Sequence, residues 1–156
     1  EFRRVLFRSS GKHLMHPEVD FYILKESSEQ ARNLLACKLA AKAFATQQRL
    51  YIYCNDQQQA LAIDDMLWSF NDISFIPHAL THLEYDASMP ILIGYTDPTE
   101  QSCDILLNLH LDIPSNLENV KRIIEIVYQD AEAKKIARAH YKAYQDGDFP
   151  LKSHSL

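Results

Sequence analysis

Two short stretches, Ile91-Leu92-Ile93-Gly94-Tyr95 and Asp104-Ile105-Leu106-Leu107-Asn108-Leu109, are apolar almost without interruption and do not alternate with polar residues. Strands of that kind need cover on both faces, as in a parallel sheet with helices packed above and below. The rest of the chain supplies such cover. Val19-Asp20-Phe21-Tyr22-Ile23-Leu24 is a β-prone run, and Ser27-Ser28 can cap a helix with Glu29 in its first turn. From there to Gln48, Ala31, Leu34, Leu35, Leu39 and Ala43 recur at helical spacing. Leu50-Tyr51-Ile52-Tyr53-Cys54 reads as a second strand, and Asn55-Asp56 caps a helix running to about Phe70. Pro77 and Pro90 bracket a loop-like stretch before the two apolar strands. Pro114-Ser115-Asn116 then predicts a helix to about Tyr128, and a final helix spans roughly Asp130 to Asp146. Strands alternating with helices predict an α/β sandwich of three layers around a mainly parallel sheet.

With 156 residues and 47% hydrophobic content, the chain has material for one core and little for two, so residues 15–156 are expected to form a single domain. Residues 1–14 look foreign to it: Leu6-Phe7-Arg8-Ser9 resembles a translated sequencing adapter, and Met15 reads as a natural start. The formal charge is −5, but that leader holds four cations and one anion; without it 12 Lys and Arg face 20 Asp and Glu, a charge of −8. A surface that acidic repels phosphate backbones unless its few cations are concentrated in one place. Nothing approaches the roughly 18 uninterrupted apolar residues of a membrane-spanning helix, and the leader lacks a signal peptide's apolar run. A cytoplasmic protein is expected. Cys37, Cys54 and Cys103 are widely spaced inside apolar patterns, which fits buried, reduced thiols.

A sheet of this type raises the question of nucleotide binding, which needs glycine where backbone approaches phosphate. The turn after the first strand is Lys25-Glu26-Ser27, and the chain's three glycines are Gly11, Gly94 and Gly147. A Rossmann-like sheet with no phosphate-binding loop is expected, and no cofactor with it. His78 and His82, with Glu84 and Asp86 nearby, admit a metal site, but no further ligand completes a local set. The alternative is that His78 anchors a loop and His82 is solvated. Asp56, Asp64 and Asp65 fit a helix cap and a solvated face better than an acid–base cluster. No GxSxG elbow or other nucleophile motif is present. No catalytic or metal-ligating residue is assigned.

Two groups of residues read instead as docking surfaces. On the helix ending near Phe70, Ala60, Ile63 and Leu67 form one stripe, while Leu61 and Trp68 point roughly 100° away from it. Phe75 follows in an extended segment, Ile73 to Pro77. Trp68 and Phe75 together suit an anchor for a partner, or they pack on each other inside the domain; spacing alone leaves both open. In the last helix, Lys134, Arg138, Tyr141 and Lys142 lie within a band about 100° wide, with Lys135 and His140 beside them. Cations gathered around a tyrosine fit an acidic peptide that brings an apolar side chain. A solvated face near a helix C-terminus is the alternative.

Several segments, in the same order, resemble one known family. They are Asp20-Phe21-Tyr22-Ile23-Leu24; Ala60 to Trp68 followed by Ser74-Phe75-Ile76-Pro77-His78; Asp104 to Leu109; and Ala137-Arg138-Ala139-His140-Tyr141-Lys142-Ala143-Tyr144. Over about Val19 to Leu151 the chain looks like the chi subunit of bacterial DNA polymerase III holoenzyme. The resemblance implies a non-catalytic adaptor of the clamp-loader assembly. It would pair with the psi subunit and bind the acidic C-terminal tail of single-stranded DNA-binding protein during replication, near the nucleoid. A repair helicase is a further implied partner. Trp68 and Phe75 match the family's psi-facing aromatics; Lys134, Arg138, Tyr141 and Lys142 match its tail-binding helix, with Val127 as an apolar wall. The family usually has glycine directly before the aromatic matched by Phe149, where this chain has Asp148, with Gly147 one place earlier. A nucleotide- or metal-dependent α/β enzyme and a direct single-stranded DNA-binding module are the competing classes.

Overall fold

The structure is a computed structural model that describes residues 16–70, 75–98, 103–117 and 119–156. The leader 1–14, together with Ile73 and Ser74, lies outside the described residues. In chain order the elements are β1 (Glu18–Ile23), α1 (Glu29–Ala45), β2 (Leu50–Tyr53), α2 (Gln57–Ser69), β3 (His78–Leu80), β4 (Ile91–Gly94), β5 (Ile105–Asn108), β6 (Arg122–Val127), α3 (Ala131–Asp146) and β7 (Leu151–Ser155). The seven strands form one sheet in the order β3-β4-β2-β5-β6-β1-β7, and every pairing is parallel. The expectation of a mainly parallel α/β sandwich is met.

Side-chain alternation divides the core. Tyr22, Leu50, Ile52, Ile91, Ile93, Ile105, Leu107 and Ile124 face α1 and α2, meeting Leu35, Leu39, Ile63 and Leu67. Val19, Phe21, Tyr51, Leu92, Leu106, Ile123 and Val127 face the other way, where α3 contributes Tyr144 and Ala137. The strands predicted to be buried on both sides are β4 and β5, each buried at all four positions. Among the described residues each of the three helices opens on a side chain that accepts a backbone N–H: Ser28 from Ala31, Asp56 from Gln59 and Asp130 from Ala133.

Two sequence expectations need correction, and one strand was not foreseen. The helix predicted over Pro114 to about Tyr128 is not formed: Arg122–Val127 is β6, paired with β5 on one side and β1 on the other. Its composition, Arg-Ile-Ile-Glu-Ile-Val, is rich in β-branched residues that suit a strand. Its two charges are buried against partners: Arg122 meets Asp20 and Glu18, and Glu125 meets Asn108, His140 and Tyr144. The loop after Pro77 contains β3 (His78–Leu80), a short edge strand whose first residue follows the proline, as edge geometry permits. The C-terminal stretch forms β7, a strand that no sequence pattern indicated, held on β1 and pinned by His154 Nε2 to Asp20 Oδ1 at 2.9 Å.

The turn between α3 and β7 accounts for the displaced glycine. Asp148 has φ 64°, the left-handed region that glycine ordinarily serves and that Asp tolerates better than most residues. Gly147 sits at φ −89° as the helix C-cap. It is small for a different reason: a Cβ there would lie 3.0 Å from the Phe149 ring. Phe149 closes against Tyr144 with ring centroids 5.3 Å apart, so this chain builds the closing turn with the two roles split between adjacent residues.

Candidate functional site

The site begins with how α3 is held. Glu125 on β6 is 5% exposed, and three donors converge on its carboxylate: Asn108 Nδ2 at 2.9 Å, Tyr144 Oη at 2.7 Å and His140 Nδ1 at 3.1 Å. His140 Nε2 lies 2.6 Å from the Leu111 carbonyl. Both ring nitrogens therefore face acceptors. Burial disfavours the imidazolium, but the Glu125 hydrogen bond and charge, the Leu111 carbonyl and Asp112 outweigh it, so the His140 pKa is raised above its ordinary 6.5. Burial, then the charge and hydrogen bond of Glu125, push the Tyr144 hydroxyl well up, keeping it a donor. His140 and Tyr144 thus form the inward face of α3, and His140 does not belong to the basic stripe it adjoins in sequence.

The outward flank of α3 forms a groove of about 240 Å³ with β1, β6 and β7, lined by Phe21, Ile23, Val127, Ala137, Tyr141 and Ser153, with Lys134, Arg138 and Gln129 at its mouth. Phe21 packs on Tyr141 at 5.3 Å between ring centroids. Gln129 spans the opening: its Nε2 donates to the Leu24 carbonyl at 2.9 Å, and its Oε1 accepts from Lys134 Nζ at 3.4 Å. The structure therefore brings Lys134, Arg138, Tyr141 and Val127 to one apolar slot rimmed by cations. Lys142 is not part of the lining; its ammonium pairs with Asp146 at 3.4 Å on the exposed surface. Phe21, Ile23, Gln129 and Ser153 were missed, because their place in the groove depends on strand order and not on sequence neighbourhood.

At the far edge of the sheet, Trp68 is 58% exposed and Phe75 60% exposed, with ring centroids 5.3 Å apart. They do pack on each other, but on the surface. Behind them stands His78, 4.8 Å from the Trp68 ring. Its Nδ1 lies 2.6 Å from the Ile76 carbonyl and its Nε2 3.1 Å from Asp64 Oδ1. His78 anchors this segment as expected, and Asp64 is its partner and not merely part of a solvated face. Leu61, one helical repeat earlier, is 39% exposed and extends the patch. His82 is not solvated: both ring nitrogens are buried, and the ring lies 5.4 Å from Tyr95.

A second cavity, of about 370 Å³, lies beyond the C-terminal ends of β5 and β6, where such sheets commonly bind ligands. Here the rim carries Glu29, Asp130 and Glu132 with Arg32, and the neighbouring helix starts are already closed by their own Ser28, Asp56 and Asp130 side chains. Among the described residues, no three His, Cys, Asp or Glu side chains are grouped to hold a metal ion. Cys37, Cys54 and Cys103 are buried and unpaired with one another, and burial pushes each thiol up to about 12. No helix among the described residues is long and apolar enough to cross a membrane.

Fold and surfaces together define a parallel α/β sandwich that displays an exposed aromatic patch at one edge and a cation-rimmed apolar groove at the other. The family described as "DNA polymerase III chi subunit, HolC" matches residues 16–152. Proteins named DNA polymerase III subunit chi are similar along most of the chain. The one from Pseudomonas aeruginosa is 36% identical over 88% of this chain and 96% of its own length. Those from Haemophilus influenzae and Escherichia coli are 33% and 29% identical, over 82% and 84% of this chain and 90% and 92% of their own. The chain belongs to the chi subunit family of DNA polymerase III, accessory subunits that work in DNA replication as part of a complex. Among solved structures, a DEAD box protein from Methanococcus jannaschii has a TM-score of 0.51 at 16% identity, covering 91% of this chain and 42% of that one; this likeness is one of fold alone.

The His140 pair gives stability a pH dependence of definite sign. A raised folded pKa means the stabilisation is fully present below the unfolded value of about 6.5 and is lost as pH climbs through the folded value. The stability advantage of the unmodified chain over His140→Gln, measured by urea unfolding, is therefore expected to be largest below about pH 6.5 and to shrink as the pH is raised above it. A difference that stays flat or grows above that pH would contradict the assignment.

Proposed function

We propose that this chain is a non-catalytic adaptor in the clamp-loader assembly of DNA polymerase III, pairing with the psi subunit and gripping the acidic C-terminal tail of single-stranded DNA-binding protein. The observation that carries this reading is the α3 groove. Its floor and walls are apolar, made by Phe21, Ile23, Val127 and Tyr141, while Lys134 and Arg138 stand at its mouth. A terminal aromatic side chain enters such a slot with its hydrophobic surface covered, leaving its carboxylate and the preceding acidic residues beside the two cations. Arg138 is the stronger partner, because a guanidinium binds a carboxylate through two parallel hydrogen bonds. Lys142, turned to Asp146, contributes long-range attraction from outside the slot.

Psi docks on the Trp68 and Phe75 patch. Aromatic side chains that are more than half exposed on a rigid support are the composition from which interface hot spots are made, and His78 with Asp64 supplies the support. The chain then links the polymerase assembly to coated single strands while its own surface, at −8 without the leader, stays away from the phosphate backbone.

Titration calorimetry with a tail peptide tests the groove. Arg138→Ala is expected to weaken binding on the order of tenfold or more, Lys134→Ala less, and rising salt to weaken the unmodified complex. Equal affinity in both variants would sink the reading. For the other surface, Trp68→Ala and Phe75→Ala are expected to lose psi in a pull-down while keeping an unchanged circular dichroism spectrum; retention of psi by both would rule this surface out.

A further inference from the structure

β7 forms one edge of the sheet. It pairs with β1, and among the described residues nothing pairs with its other side. The register determines where its backbone groups point. Val19 N donates to the Pro150 carbonyl at 2.8 Å, and Leu156 N donates to the Ile23 carbonyl at 3.0 Å. In a parallel ladder alternate residues bond to the same neighbour, so residues 150, 152, 154 and 156 turn toward β1. Leu151, Ser153 and Ser155 therefore direct their N–H and C=O groups off the open edge. By the same alternation their side chains lie on the α3 face of the sheet, and Ser153 is a wall of the groove.

We infer that the open edge of β7 takes the acidic peptide as an eighth strand, continuous with the groove that holds its terminus. The inference rests on the groove reading above and extends it from the peptide's last side chain to its backbone. Three features of the edge favour this occupant. Ser153 belongs to both the groove wall and the edge, so a chain leaving the groove meets the free N–H and C=O of β7. Lys152, Ser153 and Ser155 are exposed and small or cationic, so no bulky apolar side chain stands over the edge at these positions. Lys152 also blunts pairing between two copies of this edge, as charged edge residues do, while it favours a strand carrying carboxylates. Backbone pairing supplies affinity without demanding a particular side chain at each position, which suits a segment recognised chiefly by its charge and its end.

The test compares two synthetic probes on the full chain by calorimetry. One is a tripeptide of two aspartates and a C-terminal phenylalanine. The other extends it with alternating aspartate and glycine to about nine residues, so that the roughly six added residues, at roughly 3.3 Å each, run the length of the five-residue β7. The long peptide is expected to bind at least about fivefold tighter than the tripeptide, by on the order of 1 kcal/mol. That advantage should vanish when the long peptide is N-methylated at alternate backbone nitrogens, a change that keeps its charge and leaves the protein untouched. Ser155→Pro should also reduce it, because proline removes an N–H the β1 ladder does not use, with the tripeptide's affinity unchanged. A long peptide that binds no tighter than the tripeptide, or that keeps its advantage after N-methylation in either register, overturns the edge inference alone. A tripeptide that fails to bind, or binds Arg138→Ala as well as the unmodified chain, overturns the groove reading and this inference with it.

Discussion

Glu125 is the residue on which the useful half of this molecule depends. A carboxylate in the middle of a sheet is costly to bury unless its acceptor sites are filled, and here Asn108, Tyr144 and His140 fill them. Two of those donors come from α3. The helix is therefore held on its face of the sheet by polar contacts of fixed geometry, in addition to the modest apolar surface of Tyr144 and Ala137. Because His140 and Tyr144 point inward, the side chains one step round the helix point outward over β1. That places Arg138 and Tyr141 above Phe21, Ile23 and Val127. The groove is a consequence of how α3 is anchored.

The sheet order sets the relation between the two surfaces. β3 and β7 are its opposite edges, and six inter-strand steps put them roughly 29 Å apart. The aromatic patch sits by β3 with α2 on one face, while the groove sits by β7 with α3 on the other. If both surfaces dock partners as proposed, their placement at opposite edges and on opposite faces lets the domain hold two without either shielding the other. The phosphate-binding turn that many parallel sheets use is absent at Lys25-Glu26-Ser27, and the neighbouring helix start is closed by Ser28. Here the fold supplies rigidity and spacing between surfaces.

Much of this was legible in the sequence, and the physical reasons for the remainder are specific. The continuous apolarity of Ile91–Gly94 and Ile105–Asn108 required a sheet covered on both faces, and the caps at Ser28 and Asp56 marked where the first two helices begin. The α3 stripe could be placed on one face from 3.6-residue periodicity alone. β6 was misread because Arg122 and Glu125 interrupt its apolar run, and a buried charge looks like a helical surface residue until its partners, far away in sequence, are known. The β-branched content of Ile123, Ile124, Ile126 and Val127 was the signal that could have found it. β7 carries Lys152, Ser153, His154 and Ser155 and has no apolar pattern, so its pairing with β1 rests on backbone bonds and on Asp20 with His154. Trp68 and Phe75 could not be assigned to core or surface by spacing, because Trp68 is in the last turn of α2 and Phe75 lies between α2 and β3, where the helical wheel no longer says what is packed behind them.

On the proposed reading, the aromatic patch and the α3 groove hold two partners at once through separate ends of the domain. The direct measurement is the affinity of the tail peptide for the free chain and for the chain saturated with psi, determined in the same buffer. The same Kd within about a factor of two is expected, since sites at opposite edges of the sheet that do not touch one another leave the two binding equilibria independent. A loss of more than about tenfold on adding psi would mean the surfaces overlap or communicate, and would contradict it.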